Sequence, residues 1–151
     1  MEFRNKYHFL SNFYACLIRS GGYTFTSAEH VYQASKSTDD DERALIARTF
    51  SAGEAKKLGR KITLRSDFHQ RKVGFMKSIV KMKFEQNLHL AINLINTGKK
   101  ELIEDNFWHD NFWGNCLCAK CKNIDGQNML GRILMEVRSG LPKTLNKRSQ
   151  L

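Results

Sequence analysis

The segment from about Phe68 to Asn87 constrains the fold most, because Met76, Ile79, Val80 and Phe84 recur there at helical spacing. Lys72, Lys77, Lys81 and Lys83 occupy much of the remaining surface of that helix. Lysines so placed could line a phosphate-binding face, but a solvated helix back is the commoner outcome. An amphipathic helix of this length must cover its apolar stripe with other elements, and the rest of the chain offers mostly further helices.

The remaining signals are ordered along the chain. Residues from Cys16 to Phe25 flank a Ser20-Gly21-Gly22 turn able to take positive φ, which predicts a hairpin. Thr26-Ser27-Ala28-Glu29 fits a capping box and opens a helix toward Lys36. Asp39-Asp40-Asp41 places negative charge at the start of the next helix, which runs to about Thr49. Ser51-Ala52-Gly53-Glu54 is a second capping box, opening a short helix that Gly59 ends. His89 to Ile95 reads as a short helix closed by Gly98, and Lys100 to Glu104 as a brief strand or extended piece. After Asn128, the pattern Met129, Leu130, Ile133, Leu134, Val137 predicts a final amphipathic helix.

No internal repeat or low-complexity linker interrupts the chain, and its single proline, Pro142, marks the end of the folded body. The expectation is a mainly α, compact multihelical single domain over residues 1–142, with a small N-terminal β-hairpin. A short basic tail, residues 143–151, follows it. No apolar run reaches bilayer-spanning length, and Met1 to Lys6 does not lead into an apolar signal core. Four cysteines in that setting favour reduced thiols and a cytoplasmic location over a disulfide frame. The net charge of +10 implies attraction to polyanions, either nucleic acid or a phosphate-rich small substrate, and argues against a calcium site. Its plainer reading is solubilising Lys and Arg.

Three constellations could carry chemistry. Both tryptophans sit in the stretch Asn106 to Gly114, interleaved with Phe107, His109, Asp110, Asn111 and Phe112. Aromatic faces mixed with short polar side chains suit a site that stacks a planar ring and orients hydroxyls. The same residues also suit a loop whose aromatics plug a core while its Asn and Asp make turns. Glu29 belongs structurally at the N3 position of its capping box, yet its spacing puts Gln33 and Lys36 close to the same helix face. A carboxylate, an amide and an amine on one face could serve a polar substrate.

Cys116, Cys118 and Cys121 form a C-x-C-x-x-C run, and with His109 they could make a tetrahedral zinc site. The run lacks the second paired motif of ribbon-type zinc sites, so a cluster of reduced cysteines stands beside that reading, and neither metal nor cofactor is assigned. There is no G-x-S-x-G, H-E-x-x-H or glycine-rich phosphate loop after a strand. A serine hydrolase and a zinc protease are therefore poor fits.

Five segments taken in order resemble one family. They are Phe9-Leu10-Ser11-Asn12-Phe13; Thr26-Ser27-Ala28-Glu29-His30 with Gln33 and Lys36; Lys83-Phe84-Glu85-Gln86; Asp110-Asn111-Phe112-Trp113-Gly114; and Asn128 to Arg138. Together they are similar to the NADAR family of YbiA-like N-glycosidases, over nearly the whole domain. The resemblance implies a compact, mainly helical fold and cleavage of N-glycosidic bonds on phosphorylated ribose, with no cofactor. Family activities include hydrolysis of early riboflavin-pathway intermediates and removal of ADP-ribose from modified guanine in nucleic acid. The charge tips the expected substrate toward ADP-ribosylated nucleic acid over another phosphorylated ribose. A non-enzymatic ADP-ribose or nucleic-acid binder is the rival of another class. No membrane or obligate protein partner is expected.

The resemblance implies Glu29 and Asp110 as the catalytic carboxylates. It carries over Trp113 as well, and the expected substrate-binding residues are Asn12, Phe13, Gln33, Lys36, Phe68, Trp113, Gly114, Asn128 and Arg138. Within that set Trp113 would stack on base or ribose, Asn12 would orient a polar edge, and Lys36 and Arg138 could hold phosphate. Arg138 could equally cap the final helix. Phe68 stands where family members can carry a tryptophan, so the ring is kept and the indole N–H lost. The stretch Asn115–Gln127 is longer than in riboflavin-type members. Phe107 and Trp108 fall toward packing roles once Asp110 and Trp113 are singled out.

Overall fold

A computed structural model describes residues 3–142, 144 and 145. The tail expected over 143–151 therefore lies outside the described residues apart from Thr144 and Leu145. The chain is mainly helical with a small N-terminal hairpin, as the sequence predicts. It groups into two compact units: Asn12–Asn87, and Met1–Ser11 joined with Leu88–Leu151. No change of composition marks the boundary, because the long helix of the first unit ends at Gln86 and the next helix starts at Leu88.

In the unit Asn12–Asn87, β1 (Ala15–Ser20) and β2 (Tyr23–Ser27) pair antiparallel with Ile18 opposite Phe25, Arg19 opposite Thr24 and Ser20 opposite Tyr23. Gly21 and Gly22 form the two-residue turn at φ of +59° and +84°, the geometry that matches the right-handed twist of the flanking strands. Four helices follow: α1 (Ala28–Ala34), α2 (Asp40–Arg48), α3 (Ala52–Gly59) and α4 (Phe68–Gln86). Asp39 caps α2 through Glu42 N–H, and Ser51 caps α3 through Glu54 N–H, while the Glu54 carboxylate reaches back to Phe50 N–H. The end of α4 is stitched to β1, since the Gln86 amide donates to Arg19 C=O at 2.9 Å and accepts from Arg19 N–H at 2.7 Å.

Three local readings change. The cap of α1 is Ser27, which accepts from His30 N–H, not Thr26, so Glu29 sits one position before N3 and is not a capping-box carboxylate. α3 does end at Gly59 as expected, but its glycine serves packing rather than a left-handed cap, since a Cβ there would overlap the Gln33 side chain. Lys83 does not belong to the solvated back of α4, being only 1% exposed, with its Nζ 5.3 Å from the Phe84 ring centroid and 5.8 Å from that of Tyr14. Burial brings its ammonium down to a pKa of about 8, against the opposing pull of Cys16. The position was legible: Lys83 follows Met76 by two helical turns and so shares its face.

The second unit holds a 3₁₀ turn (Asn5–Leu10), α5 (Leu88–Asn96), β3 (Asp105–Asn106), β4 (Asn115–Cys116), a 3₁₀ turn (Ala119–Cys121) and α6 (Met129–Gly140). Of the two readings of Lys100–Glu104 the strand does not form there; the residues that pair are the next two, β3, parallel with β4. Leu90, Leu94, Leu102, Leu130, Ile133 and Leu134 are buried here. Among the described residues, no helix is long and apolar enough to cross a membrane.

Two helical glycines should respond oppositely to alanine. A Cβ at Gly74, within α4, meets nothing within 4 Å, so Gly74→Ala is expected to stabilise by about 0.5–1 kcal/mol through helix propensity. A Cβ at Gly131, within α6, would strike the Leu102 carbonyl and the Asn128 amide. Gly131→Ala is therefore expected to lose roughly 1–3 kcal/mol by overpacking, in spite of the same propensity gain. Urea melts of both variants measure this, and equal signs would refute the packing assignment.

Candidate active site

Every residue of α1 is buried, and Glu29 is 7% exposed within it. The Gln33 amide Nε2 donates to Glu29 Oε1 at 2.6 Å, which fixes the carboxylate on the helix face that the spacing of four implies. Glu29 N–H donates to Asn12 C=O at 2.9 Å, so the chain ahead of β1 anchors the first turn of α1. The Asn12 amide is turned toward Met76 Sδ, at 3.3 Å. Gln33 is confined against Gly59 of α3, and its Oε1 is buried with no hydrogen-bond partner among the described residues. An unpaired buried acceptor beside a buried carboxylate is an expense that folded proteins rarely carry outside functional sites.

Cations and rings border the carboxylate. Lys36 Nζ lies 5.9 Å from the Phe68 ring centroid and 5.7 Å from that of Tyr32. Lys56 Nζ, from α3, lies 5.8 Å from the ring of Phe13, which is 43% exposed. Burial pushes the Glu29 carboxyl above its ordinary value, while the Gln33 hydrogen bond, Lys56 and Lys36 pull it back. Burial likewise lowers the Lys36 ammonium, Glu29 raises it, and Lys56 and Arg60 lower it further. The unit thus collects Glu29, Gln33, Lys36, Asn12, Phe13 and Phe68, all singled out from sequence. Lys56 and Arg60 were not. Their only sequence signal was α3 itself, since nothing in a lysine's local context reveals which distant carboxylate it faces. A cleft of about 230 Å³ in the same unit is lined by Tyr23, Phe25, Arg43, Arg65 and Phe75 among others. It meets Val31, Ala34 and Ser35 on the other side of α1, and none of the candidate residues lines it.

The other candidates belong to the second unit. Asp110 Oδ1 accepts from Phe112 N–H at 3.1 Å and Trp113 N–H at 2.9 Å, the turn geometry expected of an aspartate that caps its own loop. The rings of Phe112 and Trp113 meet edge to face, 4.8 Å apart. Gly114 is required by packing, because a Cβ would strike the Glu104 carbonyl. Asn128, at φ +49°, accepts from Glu104 N–H and donates to Leu102 C=O, so its amide splices the entry of the aromatic loop to the start of α6. Arg138 donates to Thr97 Oγ1 at 2.8 Å and Lys100 C=O at 2.9 Å, which ties α6 to the end of α5. Phe107 and Trp108 are 52% and 58% exposed, so they pack no core, contrary to the sequence reading.

The family model of the NADAR domain matches residues 2–142. A riboflavin biosynthesis protein of Vibrio vulnificus is 40% identical over 139 residues, which are 88% of this chain and 35% of that protein. The chain thus spans about a third of that relative. The N-glycosidase YbiA of Shigella sonnei is 34% identical over 137 residues, covering 87% of this chain and 79% of the relative. The NMR structure of the Escherichia coli protein YbiA matches with a TM-score of 0.79 at 32% identity, covering 93% of this chain and 83% of that one.

The Glu29 environment has a measurable consequence for stability. Because folding raises its pKa, the native state holds a proton that the unfolded chain has already lost, and stability falls as pH rises between the unfolded and folded values. Glu29→Gln removes that loss. Its melting temperature should match the unsubstituted chain below about pH 4, where a free glutamate is protonated. Toward neutral pH the variant should become the more stable of the two, each 1 kcal/mol of difference appearing as roughly 2–4 °C in a chain of this size. A lower melting temperature for Glu29→Gln at neutral pH, by scanning calorimetry, would show that the ionised carboxylate is a net structural contributor.

Proposed function

The chain belongs to the NADAR domain family, and from that premise we propose that it is a hydrolase of N-glycosyl bonds acting on a phosphorylated ribose. The observation that carries the proposal is Glu29: a buried carboxylate, oriented by Gln33 and bordered by Lys36 and Lys56. Breaking an N-glycosidic bond builds positive charge on the anomeric carbon as the C–N electron pair leaves with the base. A fixed carboxylate stabilises that charge and accepts a proton from the water that adds to the carbon. The departing base takes up a proton in turn. Burial raises this carboxyl above its ordinary value, the direction that suits a group which takes up and returns a proton. Lys36 and Lys56 supply cations for phosphate oxygens, and the partly exposed Phe13 ring supplies an apolar face. Asp110, the second catalytic carboxylate, binds ribose hydroxyls or shares the acid–base work, and Trp113 stacks on base or ribose.

The net charge of +10 supports ADP-ribose on a guanine base of nucleic acid as the substrate, since a polyanion gains most from a basic surface. The relative named for riboflavin biosynthesis favours a second reading, a ribosylaminopyrimidine phosphate. Incubation with an ADP-ribosylated guanine oligonucleotide and, separately, with the aminopyrimidine phosphate, followed by mass spectrometry, separates the two. Release of free ADP-ribose is the expected result. Glu29→Gln, with its helical circular dichroism unchanged, should lower turnover by on the order of 10²–10⁴-fold, the range of a positioned acid or base. Tight binding of either compound without a cleaved product would instead identify a binding module, and full activity of Glu29→Gln would remove the carboxylate from the chemistry.

A further inference from the structure

Three cysteines and one histidine converge in the loop that follows the aromatic segment. His109, Cys116, Cys118 and Cys121 each present one donor atom, and the four atoms all lie within 4.8 Å of one another. His109 Nδ1 is 3.3 Å from Cys118 Sγ and 3.4 Å from Cys121 Sγ. None of the chain's cysteines is joined in a disulfide. We propose that these four residues bind one zinc ion tetrahedrally, and that the ion fixes the conformation of the Asp110–Gly114 loop.

The dimensions suit that ion. Zinc holds thiolate sulfur at about 2.3 Å and imidazole nitrogen at about 2.0–2.1 Å, which sets tetrahedral neighbours roughly 3.5–3.8 Å apart. Small side-chain adjustments bring the observed donors to that spacing. The donor set is three soft sulfurs and one imidazole with no oxygen, the composition of tetrahedral zinc sites rather than of magnesium or calcium. Four protein donors close the coordination shell, so no position is left for a reacting water, and the role is structural.

Each ligand is delivered by a separate local device. Cys116 ends the two-residue strand β4, held by Asn111 Oδ1 on its N–H at 3.0 Å. Cys118 and Cys121 bracket a 3₁₀ turn closed by Cys121 N–H donating to Cys118 C=O at 3.0 Å. His109 enters from the aromatic loop at φ +69°, where the Asn106 side chain holds both of its neighbours through Trp108 N–H and Asp110 N–H. Lys120 and Lys122 flank Cys121, which suits the single negative charge left by three thiolates on one divalent ion. His109 directly precedes Asp110, and Cys116 lies two residues beyond Gly114. An ion held by both would cross-link the two ends of that loop.

The proposal stands on these four donors and is independent of the N-glycosidase reading, so each can fail alone. The full chain, expressed in zinc-supplemented medium and purified under reducing conditions, is expected to carry about one zinc per chain by elemental analysis. Replacement by cobalt should give the thiolate-to-metal charge-transfer band and the intense visible bands of a tetrahedral centre. With metal bound, Cys116, Cys118 and Cys121 should resist a thiol reagent; after chelation these three should react, and the melting temperature should fall. Cys118→Ser and His109→Ala should each weaken zinc retention at least tenfold. If those variants fail to fold, the metal content and cobalt spectrum of the unsubstituted chain still decide the matter. A native reduced chain with Cys116, Cys118 and Cys121 all reactive, no retained zinc and no tetrahedral cobalt spectrum would overturn the proposal. So would a disulfide among Cys116, Cys118 and Cys121 in freshly purified protein.

Discussion

The hydrogen bond between Gln33 and Glu29 lies inside a helix with no exposed face, and much of the Asn12–Asn87 unit is arranged around that helix. Burying α1 on all sides requires close neighbours, and Gly59 is what lets α3 approach. His30 is held on both ring nitrogens, by Ser27 Oγ at 2.6 Å and by the Thr49 carbonyl at 3.1 Å. Those contacts join the cap of α1 to the end of α2. Burial alone would favour a neutral glutamine at position 29, since an ionisable carboxyl gains nothing from an apolar setting. Gln33, Lys56 and Lys36 offset part of that cost, and the remainder raises the carboxyl above its ordinary value.

The second unit solves a different problem. From Asp105 to Asn128 there is little regular structure, so side-chain amides and carboxylates take over backbone hydrogen bonding. Asn106 serves Trp108, Asp110 and the Asp110 carbonyl; Asn111 serves Cys116; Asn115 serves Gly126; Asn128 serves Glu104 and Leu102. Backbone bonds from Gln127, Met129 and Leu130 to Asn111, Phe112 and Trp113 then lay the aromatic segment along the start of α6. This explains the segment's composition better than stacking alone. Its asparagines and Asp110 build the loop, Trp113 is half-buried within it, and Phe107 and Trp108 stand outside.

The helices were legible because their signals are local. Apolar spacing placed both ends of α4 within a residue and the start of α6, the acidic run Asp39–Asp41 marked the start of α2, and the Ser51 capping box that of α3. The Ser-Gly-Gly turn did the same for the hairpin. Misreadings arose where a neighbour distant in sequence decides. Gly59 ends α3 as expected, but the packing that demands a glycine there stayed hidden, because the side chain it accommodates, Gln33, is on another helix. Lys83 looked solvated because lysine usually is, although its position on the apolar face said otherwise. Lys56 went unnoticed beside Glu29 for the same reason as Gly59.

The sequence by itself determined the mainly helical class, the order and approximate positions of the helices, the family, and the spacing that puts Glu29, Gln33 and Lys36 on one face. Those properties follow from interactions among residues a few positions apart, where the period of the helix fixes geometry. Only the tertiary structure decided that Glu29 is buried rather than capping, that Lys56 borders it, and that Asn128 and Arg138 are engaged with backbone and neighbouring helix ends. It also brought His109 to the three thiols, across a loop whose path depends on many weak side-chain bonds to backbone. Desolvation and donor convergence are properties of what surrounds a residue, and a one-dimensional pattern does not carry them.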